Sequence, residues 1–286
     1  MSRTTVVVAT RNRAGELDRT LHRLTTMDPK PPVIVLDNGS VDETARVAAS
    51  YEGEGVRVIR SPRNHGAAAR TQGVIAARTP YVAFSDDDSW WAADALPRAE
   101  NLFDAHPGLA LIAGRTLVGP DEREDPVTPA LEHSPLGTPA DAPGPLVLGF
   151  LACSAVVRRT AFLQAGGFSS MLHFGAEEQL LAYDLAAAGW QLCYVPDVVA
   201  HHHPSPSRPS ASWRHRAEAR NQLLIGWLRR PGAVCATQLR HFARSAGHEP
   251  SLLGALPTAL LRLPRALARR RVLPDSVEQQ ARTLEG

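Results

Sequence analysis

TVVVATRNRAGELDRTLHRLTTMDPKPPVIVLDNGS, residues 5–40, decides the fold. Two short β-branched runs, TVVVAT (5–10) and VIVLD (33–37), enclose a segment over about 14–26 whose apolar residues recur at helical spacing. A strand, a helix and a second strand in this order make a βαβ unit, which needs parallel strands. The rhythm continues outward with a helix near 41–50, VRVIR (56–60), a helix near 67–77 and YVAFS (81–85). The predicted fold class is therefore α/β, a mainly parallel sheet flanked by helices on both faces. In such sheets ligands gather at the carboxyl ends of the strands. Each run here ends in polar residues: Thr10-Arg11-Asn12-Arg13, Asp37-Asn38-Gly39-Ser40, Asn64-His65-Gly66 and Asp86-Asp87-Asp88. Polar clusters at successive strand ends describe a site.

Further along, a helix is expected near 93–105 and a strand near 109–113, followed by a stretch, 119–145, with seven prolines that reads as a long surface loop. A buried run (146–158), a turn at Gly166-Gly167, a helix near 177–188 and a strand LCYV (192–195) complete a first domain, 1–204. PSPSRPSAS (204–212) reads as a linker. Residues 205–286 hold 14 Arg against five Asp plus Glu, a surplus of nine, and form a basic helical C-terminal extension. Within it LLGALPTALLRLPRALARRR (252–271) mixes leucine and arginine as interfacial helices do, while Pro257 and Pro264 are expected to interrupt it. Packing on the main domain is the expectation for these leucines, with peripheral contact to an anionic membrane as the second reading.

The whole chain of 286 residues carries 44% hydrophobic residues, enough for a sizeable core, and a net charge of +2, which gives no sign of nucleic-acid binding. Cys153, Cys193 and Cys235 lie far apart, so no disulfide framework or cysteine-rich zinc site is expected. A reducing cytoplasm fits. The start MSRTTVVVAT lacks a signal-peptide pattern, and the longest apolar stretch, Leu146 to Val157, is too short to cross a bilayer.

Three consecutive carboxylates directly after a buried strand repel one another unless they share a cation, which points Asp86-Asp87-Asp88 to a hard divalent metal; a helix-capping turn is the plainer alternative. Asp37 ends a strand beside a turn that admits close backbone approach, so it suits hydrogen bonds from a base or ribose. A dinucleotide site would need G-x-G-x-x-G after the first strand, where TRNRAGEL stands. Asn64-His65-Gly66-Ala67-Ala68-Ala69-Arg70 places small residues and a cation at a helix start, where an anion can meet backbone N–H groups. Of His201-His202-His203, alternation along an extended segment lets His201 and His203 share one face, and imidazole suits a borderline metal.

TRNR (10–13), DNGSVDE (37–43), NHGAAARTQG (64–73), DDD (86–88), GGF (166–168), EE (177–178) and a late histidine (201–203), in that order, resemble the family 2 glycosyltransferases of GT-A fold over residues 4 to about 203. The resemblance implies transfer of a sugar from a nucleotide-diphosphate donor to an acceptor hydroxyl, with a divalent cation (Mn²⁺ or Mg²⁺) and inversion at the anomeric carbon. By motif, Thr10, Arg11, Asp37 and Arg70 line the donor pocket, Asp86 and Asp87 reach the donor, and Asp86 and Asp88 meet the metal. His201 first, and His203 second, complete its shell. Glu178, with Glu177 beside it, takes the acceptor proton. Glu178 stands where the family often has aspartate, Leu180 replaces a further acid, and Asp184 occupies a position frequently basic. The acceptor is left undefined. The alternatives are a non-catalytic sugar-nucleotide binding protein and a nucleotidyltransferase.

Overall fold

The structure is a computed structural model that describes residues 2–206 and 210–285. The first strand, β1 (Thr4–Thr10), is the centre from which the sheet grows. It leads through helix α1 (Ala14–Thr25) to β2 (Val33–Asp37), through α2 (Thr44–Ser50) to β3 (Val56–Arg60), and through α3 (Ala69–Ala76) to β4 (Tyr81–Asp86). All four strands are parallel, in the order β3-β2-β1-β4. Successive residues face opposite sides. Thus Val7 joins Leu36, Phe84 and Val74 on one face, while Val6 and Val8 meet Leu17, Leu21 and Leu24 of α1 on the other. Val6, Val7 and Val8 have no exposed surface, and burying each such side chain contributes about 1.5–3 kcal/mol.

Past β4 a short strand, β5 (Ser89–Trp91), and α4 (Ala95–Ala105) precede a ten-residue strand, β6 (Leu109–Val118). The proline-rich segment is more ordered than expected: β7 (Arg123–Glu124) pairs with β6, and a helical turn, α5 (Thr128–Glu132), carries Pro129 in its first turn, where a missing N–H costs little. Strand β8 (Ala155–Arg158) runs antiparallel between β4 and β6, and α6 (Arg159–Gln164) follows it. Then come α7 (Glu177–Ala187) and β9 (Gln191–His202).

Strand β9 is three times the length that LCYV suggests. Pro196 lacks an N–H and reads as a stop, but it falls in a bulge, where the register on β6 jumps from Gly114↔Val195 to Arg115↔Val199. Gly114 is required there, because a Cβ would run into the Val198 carbonyl oxygen. Beyond the bulge the strand continues to His202 and pairs with β5.

The extension forms α8 (Ala211–Arg229), α9 (Gly232–His248), α10 (Ala255–Ala268) and α11 (Asp275–Glu285). Of the expected linker, residues 207–209 lie outside the described residues. Leu224, Ile225 and Leu228 of α8 and Val277 and Ala281 of α11 share one core with Leu180 and Tyr183 of α7. Arg230 is 1% exposed and is held by Glu278, Glu285 and the Tyr183 hydroxyl. Pro257 and Pro264 do not interrupt α10. Pro257 sits in the first turn, and Pro264 lies on the exposed side inside the helix, which continues past it without the hydrogen bond that its missing N–H would make. No helix among the described residues is long and apolar enough to cross a membrane.

Candidate functional site

Parallel register brings the strand ends level, with Thr10 beside Asp37 and Ala9 beside Asp86. Asp37 is 1% exposed; its Oδ1 accepts the Ser40 N–H at 2.9 Å and its Oδ2 accepts Arg60 Nε at 3.2 Å. Asn38 ties the neighbouring loop down: its amide donates to Asn64 Oδ1 and the Gly66 carbonyl, and its Oδ1 accepts the His65 N–H. Gly66 has φ +61°, and a Cβ there would overlap the His173 carbonyl, so the loop before α3 lies tightly against the segment before α7. Arg11 is exposed at the rim.

The three carboxylates are held differently. Thr10 donates its hydroxyl to Asp87 Oδ2 at 2.9 Å, and burial, with Asp86 and Asp88 adjacent, raises the Asp87 carboxyl to about 7. Asp86 accepts a hydrogen bond from Arg70. Asp88 accepts the Ser205 N–H at 2.9 Å on Oδ2, and its backbone carbonyl accepts the His203 N–H. Ser205 in turn donates its hydroxyl to Glu16 at 2.6 Å. The start of the extension is thereby fastened to the end of β4.

Among the histidines the structure brings in a different one from those expected. His202 Nε2 lies 3.3 Å from Asp88 Oδ1, and Asp86, Asp88 and His202 each offer a ligand atom within 4.8 Å of the others. His201 and His203 do share a face, as alternation requires, but it is the face against Trp90, with ring centroids at 5.7 and 4.6 Å. The physical reason is the β5–β9 pairing, which sets Trp90 opposite His201 and Ser89, next to Asp88, opposite His202. Two carboxylates and one imidazole suit Mn²⁺, and the carboxylates alone suit Mg²⁺.

Arg70 connects this end of the site to the acidic pair. Burial pulls its guanidinium down, but Asp86, Glu177 and Glu178 outweigh that and hold it above its ordinary value. Its guanidinium also stands 6.0 Å from the Phe168 ring centroid. Phe168 belongs to the GGF turn, where Gly166 and Gly167 have φ of +91° and +68°, and its N–H is donated to Thr71 of α3. Glu177 is 4% exposed, and burial raises its carboxyl. Glu178 keeps part of its surface open while protein atoms enclose the rest; burial, with Glu177 beside it, raises its carboxyl to about 8. It borders a groove of about 490 Å³ whose other walls include Val127, Leu131, Val147, Phe150 and Leu284.

Sequence reasoning missed Asn221. It has no exposed surface, and its Nδ2 donates to the carbonyls of Leu172, Phe174 and Gly175, fixing the turn that delivers Glu177 and Glu178. Asp184, the other unusual position, pairs with Arg229 of α8. Asn38 and His202 were also missed in these roles. Nothing local distinguishes them, because each acts on a residue more than 20 positions away.

A doubly covered sheet with an acidic cluster at the end of β4 and an acidic helix start facing it defines the GT-A class of nucleotide-sugar folds. The sequence profile of Glycosyl transferase family 2 matches residues 5–165, more than half of the chain, and the chain belongs to that family. The pre-mycofactocin glycosyltransferase of Mycobacterium tuberculosis is 34% identical over 216 residues, covering 71% of this chain and 43% of that protein. The chain thus spans less than half the length of that relative. The N-acetylglucosaminyl-diphospho-decaprenol L-rhamnosyltransferase of the same organism is 28% identical over 271 residues, covering 79% of this chain and 86% of that protein. Among solved structures, S. aureus TarS 1-349 in complex with UDP-GlcNAc superposes with a TM-score of 0.64 at 19% identity, over 94% of this chain and 84% of that one. The mannosyltransferase PcManGT from Pyrobaculum calidifontis, in complex with GDP-Man and Mn²⁺, gives 0.60 at 21% identity, over 94% and 72%. These likenesses establish the shared fold.

Proposed function

We propose that the protein transfers a sugar from a nucleotide-diphosphate donor to an acceptor hydroxyl, by metal-assisted displacement with inversion. The observation that carries this reading is the convergence of Asp86, Asp88 and His202 at one end of Arg70 and of Glu177 and Glu178 at the other. Asp37, Thr10 and Arg11 are assigned to the base and ribose, and Asp87 to the donor through its bond with Thr10. Asp86, Asp88 and His202 would hold the cation. A divalent ion bound there supplies positive charge against the negative charge that develops on the diphosphate leaving group.

Glu178, rather than Glu177, is assigned as the base, because it opens on the groove while Glu177 is buried. A carboxylate near pKa 8 is a strong acceptor for a hydroxyl proton once ionised. Among the described residues the groove walls include no arginine or lysine; beside Glu178 they bring Gln179, Gln222 and Glu218. That favours a neutral acceptor with an apolar part next to its hydroxyl.

The complexes of TarS and PcManGT make UDP- and GDP-sugars the first donors to test. Thermal melting with each nucleoside diphosphate and its sugars, with and without Mn²⁺, should show one family of donors that raises the melting temperature. Asp37→Ala should weaken that binding by about 1–3 kcal/mol. Glu178→Gln should keep donor binding and lose transfer. Stabilisation by no nucleotide sugar, or full transfer by Glu178→Gln, refutes the reading.

A further inference from the structure

Helix α10 turns three alanines inward and three of its five leucines outward. Ala255, Ala259 and Ala266 are buried, whereas Leu253 just before the helix, Leu260, Leu261 and Leu267 are 54%, 49%, 83% and 51% exposed. Positions 253, 257, 260, 261, 264 and 267 follow the i, i+4, i+7, i+8 spacing of one helical face, and both prolines fall on it, also exposed. The expectation that the leucines of this segment pack inward therefore holds for Leu252, which is buried, and Leu256, which packs beside it, and fails for these four exposed ones. Contiguous leucines left in water mark a surface with a partner.

The charge around this face says which partner. From residue 250 to 274 the sequence contains no aspartate or glutamate and five arginines. Arg262 donates to the Met171 carbonyl and Arg270 to the carbonyls of Trp227 and Arg230, so both serve the protein interior. Arg265, Arg269 and Arg271 are exposed. A second copy of the chain would set the same cations against one another, and no helix among the described residues is long and apolar enough to cross a bilayer.

We propose that this face of α10 lies on an anionic lipid bilayer, with Leu253, Leu260, Leu261 and Leu267 entering the acyl boundary and Arg265, Arg269 and Arg271 at the headgroups. This goes beyond the proposed reaction and does not depend on it. Arg269 and Arg271 also line a recess of about 620 Å³ shared with Gly167 and Phe168, so the basic end of the seated helix adjoins the GGF turn.

The test is sedimentation of the full chain with vesicles of phosphatidylglycerol and phosphatidylcholine, or of phosphatidylcholine alone, over a range of salt. The parent should bind the anionic vesicles, and binding should fall steeply as salt rises. Leu260→Gln with Leu261→Gln should weaken it about tenfold or more, and each of Arg265→Gln, Arg269→Gln and Arg271→Gln about fivefold. These positions are exposed, so melting temperature and nucleotide binding should match the parent; Leu261→Gln alone, at the most exposed leucine, guards against a folding defect in the pair. Equal binding by the leucine variants, or equal binding to neutral vesicles, overturns the proposal. So does a parent that instead dimerises in solution and becomes monomeric on leucine substitution, which would show the face to be an interface between two copies.

Discussion

At the scale of single residues, the metal-binding end turns on which of three adjacent imidazoles faces Asp88. His202 does, at 3.3 Å, while His203 stands over Trp90. Calorimetric titration with Mn²⁺ should therefore find His202→Ala weakened about tenfold or more and His203→Ala close to the parent, since loss of a ligand costs what loss of a ring contact does not. The opposite order would move the site to the other face of β9. Glu178 carries a prediction about pH. Its folded carboxyl titrates at about 8 against an ordinary 4.5, so between these values the folded chain holds a proton that the unfolded chain has released. The stability held at this site is present in full below the lower value and is lost as pH rises through the upper one. Glu178→Gln has nothing to titrate there. It should melt well above the parent at about pH 9 and nearly level with it at about pH 4, and a constant offset across that range would contradict the buried environment.

Among the elements, α7 depends on α8 for its position. The Asn221 amide bonds three carbonyls of the turn before Glu177; Leu172 also accepts from Arg220 and the Phe174 N–H, which leaves Phe174 and Gly175 as the two that rely on Asn221. Removing it leaves buried acceptors unpaired, so Asn221→Ala should cost about 1–3 kcal/mol in denaturant unfolding and lower kcat, while nucleoside-diphosphate affinity stays unchanged because Asp37 and Thr10 sit on other elements. A fall in nucleotide affinity instead would mean that the turn shapes the donor pocket. The groove at Glu178 offers a second test. A Cβ added at Gly149 meets nothing within 4 Å, and its φ is not in the left-handed region, so Gly149→Leu can project into the groove without strain. Melting and donor binding should be preserved and transfer reduced by about tenfold or more if the acceptor occupies that space, since an overfilled pocket loses its ligand. Unchanged transfer would place the acceptor elsewhere.

For the molecule as a whole, the extension completes a core as well as presenting α10. Leu228 and Ile225 pack with Leu180 and Tyr183, and α11 adds Val277 and Ala281 to the same cluster. Arg230 is buried between Glu278 and Glu285. A chain ending after Arg230 would bare these apolar side chains and leave that guanidinium without its carboxylates. It should bind an apolar dye, melt at lower temperature and aggregate. A truncated chain that stays monomeric with the parent's melting temperature would show the two parts to be independent. It would also make the truncation a clean control for vesicle binding.

The order and type of the elements around β1 were legible in the residues themselves, because alternation of β-branched runs with 3.6-residue periodicity is a local property that needs no distant partner. The positions of Thr10, Asp37 and Asp86–Asp88 at strand ends followed from the same pattern. So did the basic, leucine-rich character of 252–271, though not the direction in which it faces. What only the tertiary structure decided depends on residues far apart in sequence. The β9 bulge carries the strand past Pro196, its pairing with β5 selects His202, and Asn221 reaches back 46 to 49 positions to the turn before Glu177. The outward leucines of α10 belong to this group, since which side of an amphipathic helix is buried depends on the shape of what it meets. Here α8 and its neighbours take Ala255, Ala259 and Ala266 with Leu252 and Leu256, and leave Leu260, Leu261 and Leu267 at the surface.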